Sequence, residues 1–314
     1  MKRPRILVIG SFMMDLVVRA PRAPREGETI IGSSFNRFPG GKGANQAVAA
    51  ARLGAAVTMA GKLGEDVFGE QMLAALQKEG VCTKHILRDP ETSTGIGSIV
   101  LDDQGRNRIV VVPGANLKYD LADLAALEPE IAGHDLIMLQ LEMTLEVVTA
   151  AAKLGQRYGV PVVLDPAPAQ ALPEELLQAV ACLTPNETEA QLLTGISVTD
   201  VDSARKAADL LLEKGPQAVI ITMGEKGALL ATGERTVHIP GFPVQTVDTV
   251  AAGDAFSGAL ATRIAHGVSL EEAVQYANAV GALAVTRPGA IPSLPTAEEV
   301  ADFLASQKAL QPVY

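Results

Sequence analysis

The chain has 314 residues, 48% of them hydrophobic and only 4% aromatic, which is enough to bury a large core as one big α/β domain or as a domain with a smaller appendage. Its 26 basic and 36 acidic residues give a formal charge of -10, and basic residues cluster only at Lys2-Arg3-Arg5, so no nucleic-acid partner is expected. No apolar run is long enough for a membrane span, Asp15 and Arg19 break up any signal-like start, and Cys82 and Cys182 form no Cys-x-x-Cys pair, so the expectation is a cytoplasmic protein without a disulfide framework or structural zinc.

In chain order, Ile6–Ile9 reads as a buried strand ending at Gly10. Residues from about Asp15 to Phe38 hold short β-like pieces separated by Pro21, Pro24 and Gly27, without the period of a long helix. Asn45–Leu53 reads as a helix of small residues and Val57–Ala60 as a strand. Ile96–Leu101 and Arg108–Val112 flank Asp102-Asp-Gln-Gly105, a hairpin signal. From there the pattern is α/β alternation: strands at Leu136–Leu139, Val160–Leu164, Ala181–Thr184 and Ala218–Thr222, and helices near Leu145–Tyr158, from about Glu187, and at Ser203–Lys214. Leu229–Thr232 and Val237–Ile239 are shorter β candidates. Apolar strands separated by helices predict a mostly parallel sheet covered on both faces, with the early β pieces pairing into a small lid beside it. Ligands of such sheets sit beyond the carboxyl ends of the strands, where this reading puts Asp15, Glu142, Asp165, Asn186, Thr222 and Asp248.

Two segments carry chemistry. In Gly40-Gly-Lys-Gly-Ala-Asn-Gln46 the glycines permit close backbone approach, and Lys42 and Asn45 offer donors to hydroxyl or phosphoryl oxygens. The plain alternative is a tight turn capping the next helix, and three glycines around a lysine exceed what a cap needs. In Asp248-Thr-Val-Ala-Ala-Gly-Asp254, bare N–H groups at a helix start could face phosphate while Asp254 accepts a proton. Thr249 as a simple helix cap accounts for the opening of that segment, but not for an acid beside Ala255-Phe256, where burial without a partner is costly. Two familiar nucleotide motifs are absent: Gly10-Ser-Phe-Met-Met-Asp15 lacks the dinucleotide glycines, and Gly43 stands where a Walker A loop needs a hydroxyl. Glu142 and Glu187 are each readable as acids at a helix start, and Asp165-Pro166 as a strand-end turn. His85, His134, His238 and His266 share no metal-ligand spacing.

These segments, with Thr184-Pro-Asn-Glu-Thr-Glu-Ala190 and Ala284-Val-Thr-Arg-Pro-Gly-Ala290, closely resemble the ribokinase family of sugar and nucleoside kinases over nearly the whole chain. The resemblance implies one three-layer α/β sandwich spanning residues 1–314, around a mostly parallel sheet, with a small β-sheet lid at about 15–39 and 92–112, often contributing to a homodimer. It implies ATP-dependent phosphorylation of a sugar's primary hydroxyl, with Asp254 as the base and the N–H groups of Ala251, Ala252 and Gly253 as an anion hole. Met13, Asp15, Gly41, Lys42, Gly43, Asn45 and Glu142 match sugar-site positions. Asn186, Thr222, Met223, Gly224, Glu225, Lys226, Gly227, Gly253 and Asn278 match the nucleotide site. Glu189 resembles the acid that organises hydrated Mg2+, work that Glu187 could share. A K+ pocket would use the Asp248 side chain, the carbonyls of Val250, Ala284, Arg287 and Gly289, and the Ser293 hydroxyl. Met13 departs from the asparagine frequent in bacterial members, so D-ribose is the expected acceptor and 2-deoxyribose or another pentose the alternative. A catalytically silent sugar- or nucleotide-binding regulator is the reading from a different class.

Overall fold

The computed structural model describes residues 3–309. In chain order its elements are β1 (Arg5–Ile9), β2 (Met13–Arg19), β3 (Ser34–Gly40), α1 (Lys42–Arg52), β4 (Ala56–Gly64), α2 (Val67–Lys78), β5 (Cys82–Asp89), β6 (Ile96–Leu101), β7 (Asn107–Val112) and α3 (Leu121–Ile131). There follow β8 (Leu136–Leu139), α4 (Leu145–Tyr158), β9 (Val162–Leu164), α5 (Glu174–Leu177), β10 (Cys182–Leu183), α6 (Glu187–Thr194), α7 (Val201–Leu212) and β11 (Ala218–Thr222). The chain closes with β12 (Ala228–Thr232), β13 (Thr236–Ile239), α8 (Ala252–Ala265), α9 (Leu270–Ala284) and α10 (Ala297–Ala309).

Among the described residues the main sheet has nine strands in the order β13-β12-β11-β10-β9-β8-β1-β4-β5. Neighbours from β11 to β5 run parallel, while β12 and β13 add an antiparallel edge. Because strand side chains alternate, each central strand feeds two cores. Ile6, Val8, Leu136, Met138, Val163 and Ile220 pack with α1, α8 and α9 on one face. Leu7, Ile9, Ile137, Leu139, Val162, Leu164, Val219 and Ile221 pack with α3, α4, α6 and α7 on the other. Each such Leu, Ile or Val contributes on the order of 1.5–3 kcal/mol by burial, so continuously apolar strands are stable only as the middle layer of three.

The remaining strands form a second sheet, β3-β2-β6-β7, within the segments expected to make the lid. The hairpin signal at 102–105 holds: β6 and β7 pair antiparallel, and Asp102 accepts from the Gln104 and Arg106 N–H groups across a turn with Gly105 at φ 77°. The second sheet keeps much apolar surface open. Phe35, Ile109, Val110, Val111 and Val112 are all exposed.

Two expectations shift. The first helix starts at Lys42 rather than Asn45, so the lysine lies in its opening turn. Thr249 does not cap the helix that carries Asp254; the N-cap of α8 is Ala251, at φ 59°, with no side-chain cap. That left-handed conformation is the one positive φ outside glycine among the described residues.

Candidate active site

Glycines fix the first half of the site. A Cβ on Gly41, at φ 91°, would come 2.6 Å from the Met13 N atom, and one on Gly43 would collide with the Ser11 N atom. The start of α1 therefore packs directly on the connection between β1 and β2, at a distance only glycine allows. Glu142, just after β8, accepts from the Lys42 N–H at 2.9 Å and from the Ser11 hydroxyl with the same Oε2. It is an acid at a helix start, as one sequence reading had it, but the helix is α1 rather than its own neighbour α4.

Asp15, on β2, sits at the second sheet rather than beyond the main one. Its carboxylate lies between two glycine Cα atoms of the flanking strands: a Cβ on Gly97 would be 2.6 Å from Oδ1 and one on Gly40 would be 2.9 Å from Oδ2. Burial, with Glu142 nearby, pushes its pKa up to about 6. Met13 is buried against Asn116 and Gly95, its Sδ 3.9 Å from Asn116 Nδ2.

The centre is a largely buried polar cluster where α1 meets α8 and the ends of β8 and β9, reached from solvent at the partly exposed Lys42 side chain. Asp254, in the first turn of α8, is 5% exposed. Asn45 Nδ2 donates to its Oδ2 at 2.8 Å, and Gln46 Nε2 donates to its Oδ1 at 3.1 Å. Lys42 Nζ lies 3.9 Å from that Oδ1 and 3.3 Å from Asp165 Oδ2. Burial works against the Lys42 charge, but Asp165, Asp254, Glu142 and Glu189 outweigh it and hold the ammonium above the ordinary lysine range. Asp165 is held above the usual aspartate range by burial first, against the opposing pull of Lys42. Asn45 Oδ1 is buried without a protein partner, an acceptor aimed at nothing in the chain itself.

A cleft of about 720 Å³ opens on the other side of the α8 N-terminus. Asn186, Thr222, Gly224, Glu225, Lys226, Gly227, Gly253 and Asn278 all line it, as the sequence suggested, and so does Glu187. Met223 instead turns into the core and is 2% exposed. Both Glu189 oxygens are engaged by Asn186 in the capping box of α6, whereas Glu187 keeps its place on the wall. Phe242, Pro243, Val244 and Val285 give the cleft an apolar side that sequence motifs did not announce. Nothing within 4 Å would meet a Cβ on Gly253, so α8 presents open space at that position, while the Ala252 N–H donates to the Thr249 carbonyl at 3.3 Å.

Beside it, the Asp248 carboxylate accepts from the Val250 N–H at 3.0 Å and the Gly289 N–H at 2.9 Å, which ties the 284–293 segment to the start of α8. The Ala284 carbonyl accepts from the Arg287 N–H, and the Ser293 hydroxyl donates to the Ala290 carbonyl. Of the six residues expected around a monovalent ion, hydrogen bonds join Asp248 to Val250 and Gly289, and Ala284 to Arg287, while Ser293 bonds to Ala290.

Two compartments meeting at a helix N-terminus, one polar and built around a buried carboxylate and the other an open cleft, suit transfer of an anionic group to a small hydroxylated molecule. Residues 3–297 match the pfkB family of carbohydrate kinases, and the chain belongs to that family. It is 42% identical over 302 residues to the ribokinase of Haemophilus influenzae, covering 96% of this chain and 99% of that protein. It is 40% identical over 304 residues to the deoxyribokinase of Salmonella typhimurium, covering 96% and 98%. Among solved structures, Arabidopsis thaliana ribokinase complexed with ribose and ATP superposes with a TM-score of 0.91 at 33% identity, covering 96% of this chain and 99% of that one.

Proposed function

We propose that this carbohydrate kinase transfers the γ-phosphoryl group of ATP to the 5-hydroxyl of D-ribose, giving D-ribose 5-phosphate. One observation carries the reading: a buried carboxylate, Asp254, is held by Asn45 and Gln46 in the first turn of α8, between the polar cluster and the open cleft. The ribokinase relatives and the ribose and ATP complex support the choice of substrates.

In this mechanism Asp254 accepts the proton of the acceptor hydroxyl as that oxygen attacks phosphorus. Asp15, Lys42, Gly43, Asn45 and Glu142 orient the sugar, with the unpartnered Asn45 Oδ1 receiving a sugar hydroxyl donor. The Gly253 N–H, with that of Ala252 on leaving the Thr249 carbonyl, is presented by the turn at Ala251 to stabilise charge on the transferring group. The cleft holds the nucleotide, its base against the apolar side and its phosphates toward α8. Mg2+ fits an acid on the cleft wall, where Glu187, and Glu189 through Asn186, would hold its hydration shell while the ion offsets phosphate charge. K+ fits the oxygen donors around Asp248, and would stiffen the turn that supplies the anion hole. The second sheet acts as a lid that excludes water on closing. Its exposed apolar strands support a homodimer, and the unpaired Cys82 and Cys182, with ATP as donor, support a cytoplasmic location.

Met13 favours a second acceptor. A thioether in place of an amide removes one polar contact, and polar contacts provide most discrimination between hydroxylated analogues. The deoxyribokinase relative is nearly as similar as the ribokinase one, so 2-deoxyribose is the alternative. The test is kcat/KM for ribose, 2-deoxyribose, fructose and adenosine with ATP, Mg2+ and K+, in wild type and Asp254→Asn. Ribose is expected to give the highest value, and Asp254→Asn to lose at least about 10²-fold in kcat while still binding nucleotide. Preference for another sugar reassigns the substrate, and near-normal turnover of Asp254→Asn rejects the base.

A further inference from the structure

The polar cluster contains two glutamines, Gln46 and Gln140, to which the mechanism gives no chemical step. Gln46 is fully buried on α1, one residue past Asn45. Its Nε2 donates to Asp165 Oδ2 at 2.8 Å and to Asp254 Oδ1 at 3.1 Å, bridging two carboxylates that nothing else links directly except the Lys42 ammonium. Its Oε1 accepts from Gln140 Nε2 at 2.7 Å. Gln140 is 1% exposed, follows β8, and has its Oε1 buried without a partner. A Cβ on Gly10 would collide with that Oε1, so Gly10 leaves the space in which Gln140 stands.

This arrangement has a direction. An amide can face a carboxylate only with its NH2 end, because its oxygen would repel it. Gln46 faces two carboxylates with one end, and the donor from Gln140 locks the other. The Asp254 carboxylate is thereby pinned at both oxygens, by Asn45 on Oδ2 and by Gln46 on Oδ1, and its rotation about the χ2 bond is restricted.

We propose that Gln46, held in a single amide orientation by Gln140, is a positioning residue for phosphoryl transfer that fixes the Asp254 carboxylate against the acceptor hydroxyl. The proposal rests on the reading of Asp254 as the base. Gln46 and Gln140 reach the reacting atoms through Asp254, so their effect falls on turnover and leaves sugar binding nearly intact.

The experiment compares Gln46→Met, Gln140→Leu, the double variant and Asp254→Asn for kcat, sugar KM, sugar affinity by calorimetry, and melting temperature. Gln46→Met should lose roughly 10- to 100-fold in kcat, the scale of a misplaced catalytic group, with sugar KM and affinity within about threefold. Gln140→Leu should lose less in the same direction, and the double variant should be no slower than Gln46→Met, because both act through one contact. A purely structural role predicts instead a lowered melting temperature with kcat near wild type, or losses that multiply; either result overturns the proposal. If Gln46→Met does not fold, Gln140→Leu decides alone: a selective fall in kcat supports the proposal and full kcat rejects it. An inactive Asp254→Asn beside a fully active Gln46→Met sinks this inference and spares the base, whereas an active Asp254→Asn overturns both.

Discussion

Asp15 shows what one side chain gives up for its position. Set between Gly40 and Gly97, it titrates near 6 rather than at its ordinary 3.8, because burial and Glu142 disfavour its charge. The folded chain thus binds more protons than the unfolded one between those values, and the Asp15 contribution to stability falls as pH rises through that window. Two results are expected. Asp15→Asn should melt at a higher temperature than wild type at pH 7.5, with the gap closing toward pH 4. In the wild type, sugar KM should rise as pH falls through 6, as the carboxylate loses an acceptor for hydroxyl donors. A flat KM from pH 7.5 to 5.5 would contradict this role. The sequence pointed to Lys42, Asn45 and Asp254 because motif segments announce them, and to Asp15 by its place after the first strand and by the family resemblance. Gln140, Gly10 and Gly97 were not legible, because their part is set by what lies across the fold: an amide two residues before Glu142, a glycine just past β1 and a glycine within β6 carry no local pattern.

At the scale of an element, α8 depends on the left-handed residue before it. Ala251 at φ 59° costs about 1 kcal/mol or more relative to glycine, and it aims the first turn at the cleft. Ala251→Gly should hold or slightly raise the melting temperature, while Ala251→Val, β-branched in a conformation it resists, should lower both stability and kcat. Retention of both by the valine variant would remove the turn from the mechanism. The neighbouring Asp248 links this turn to Gly289. Replacing K+ by Na+ should lower kcat in the wild type and change little in Asp248→Ala, whose rate should already be low; equal rates in both salts for the wild type would count against the ion. Helices with strong apolar faces were readable from period alone, as Leu145–Tyr158 was. Helices α2, α3, α5, α9 and α10 were not announced, although three of them carried cap signals: Asp66 accepts from the Gly69 N–H, and Asp120 with Asp123 and Ser269 with Glu272 form capping boxes. The start of α1 was misplaced because Gly41 and Gly43 are poor helix formers, held there by packing on Phe12 and Met13 and by the bond from the Lys42 N–H to Glu142.

For the whole molecule, the second sheet is the surface proposed to join two copies. Ile109, Val110, Val111 and Val112 are all exposed on β7, an edge strand, a surface that an isolated chain rarely leaves open. Val110→Lys should turn a dimer into a monomer by sedimentation, and an unchanged mass would reject this sheet as the interface. The same sheet is joined to the main one at four places rather than hung from one linker: at Gly10–Phe12 after β1, at Gly41 before α1, between β5 and β6, and at Pro113 after β7. Asn116 gathers three of these strand ends, pairing with the Phe12 N–H and carbonyl and with the Pro113 carbonyl while packed on Gly95. In its proposed role as a lid, a sheet tied at so many points would have few orientations to choose among when open, so closing would surrender little disorder and more of the energy of sugar binding would remain to hold the acceptor still.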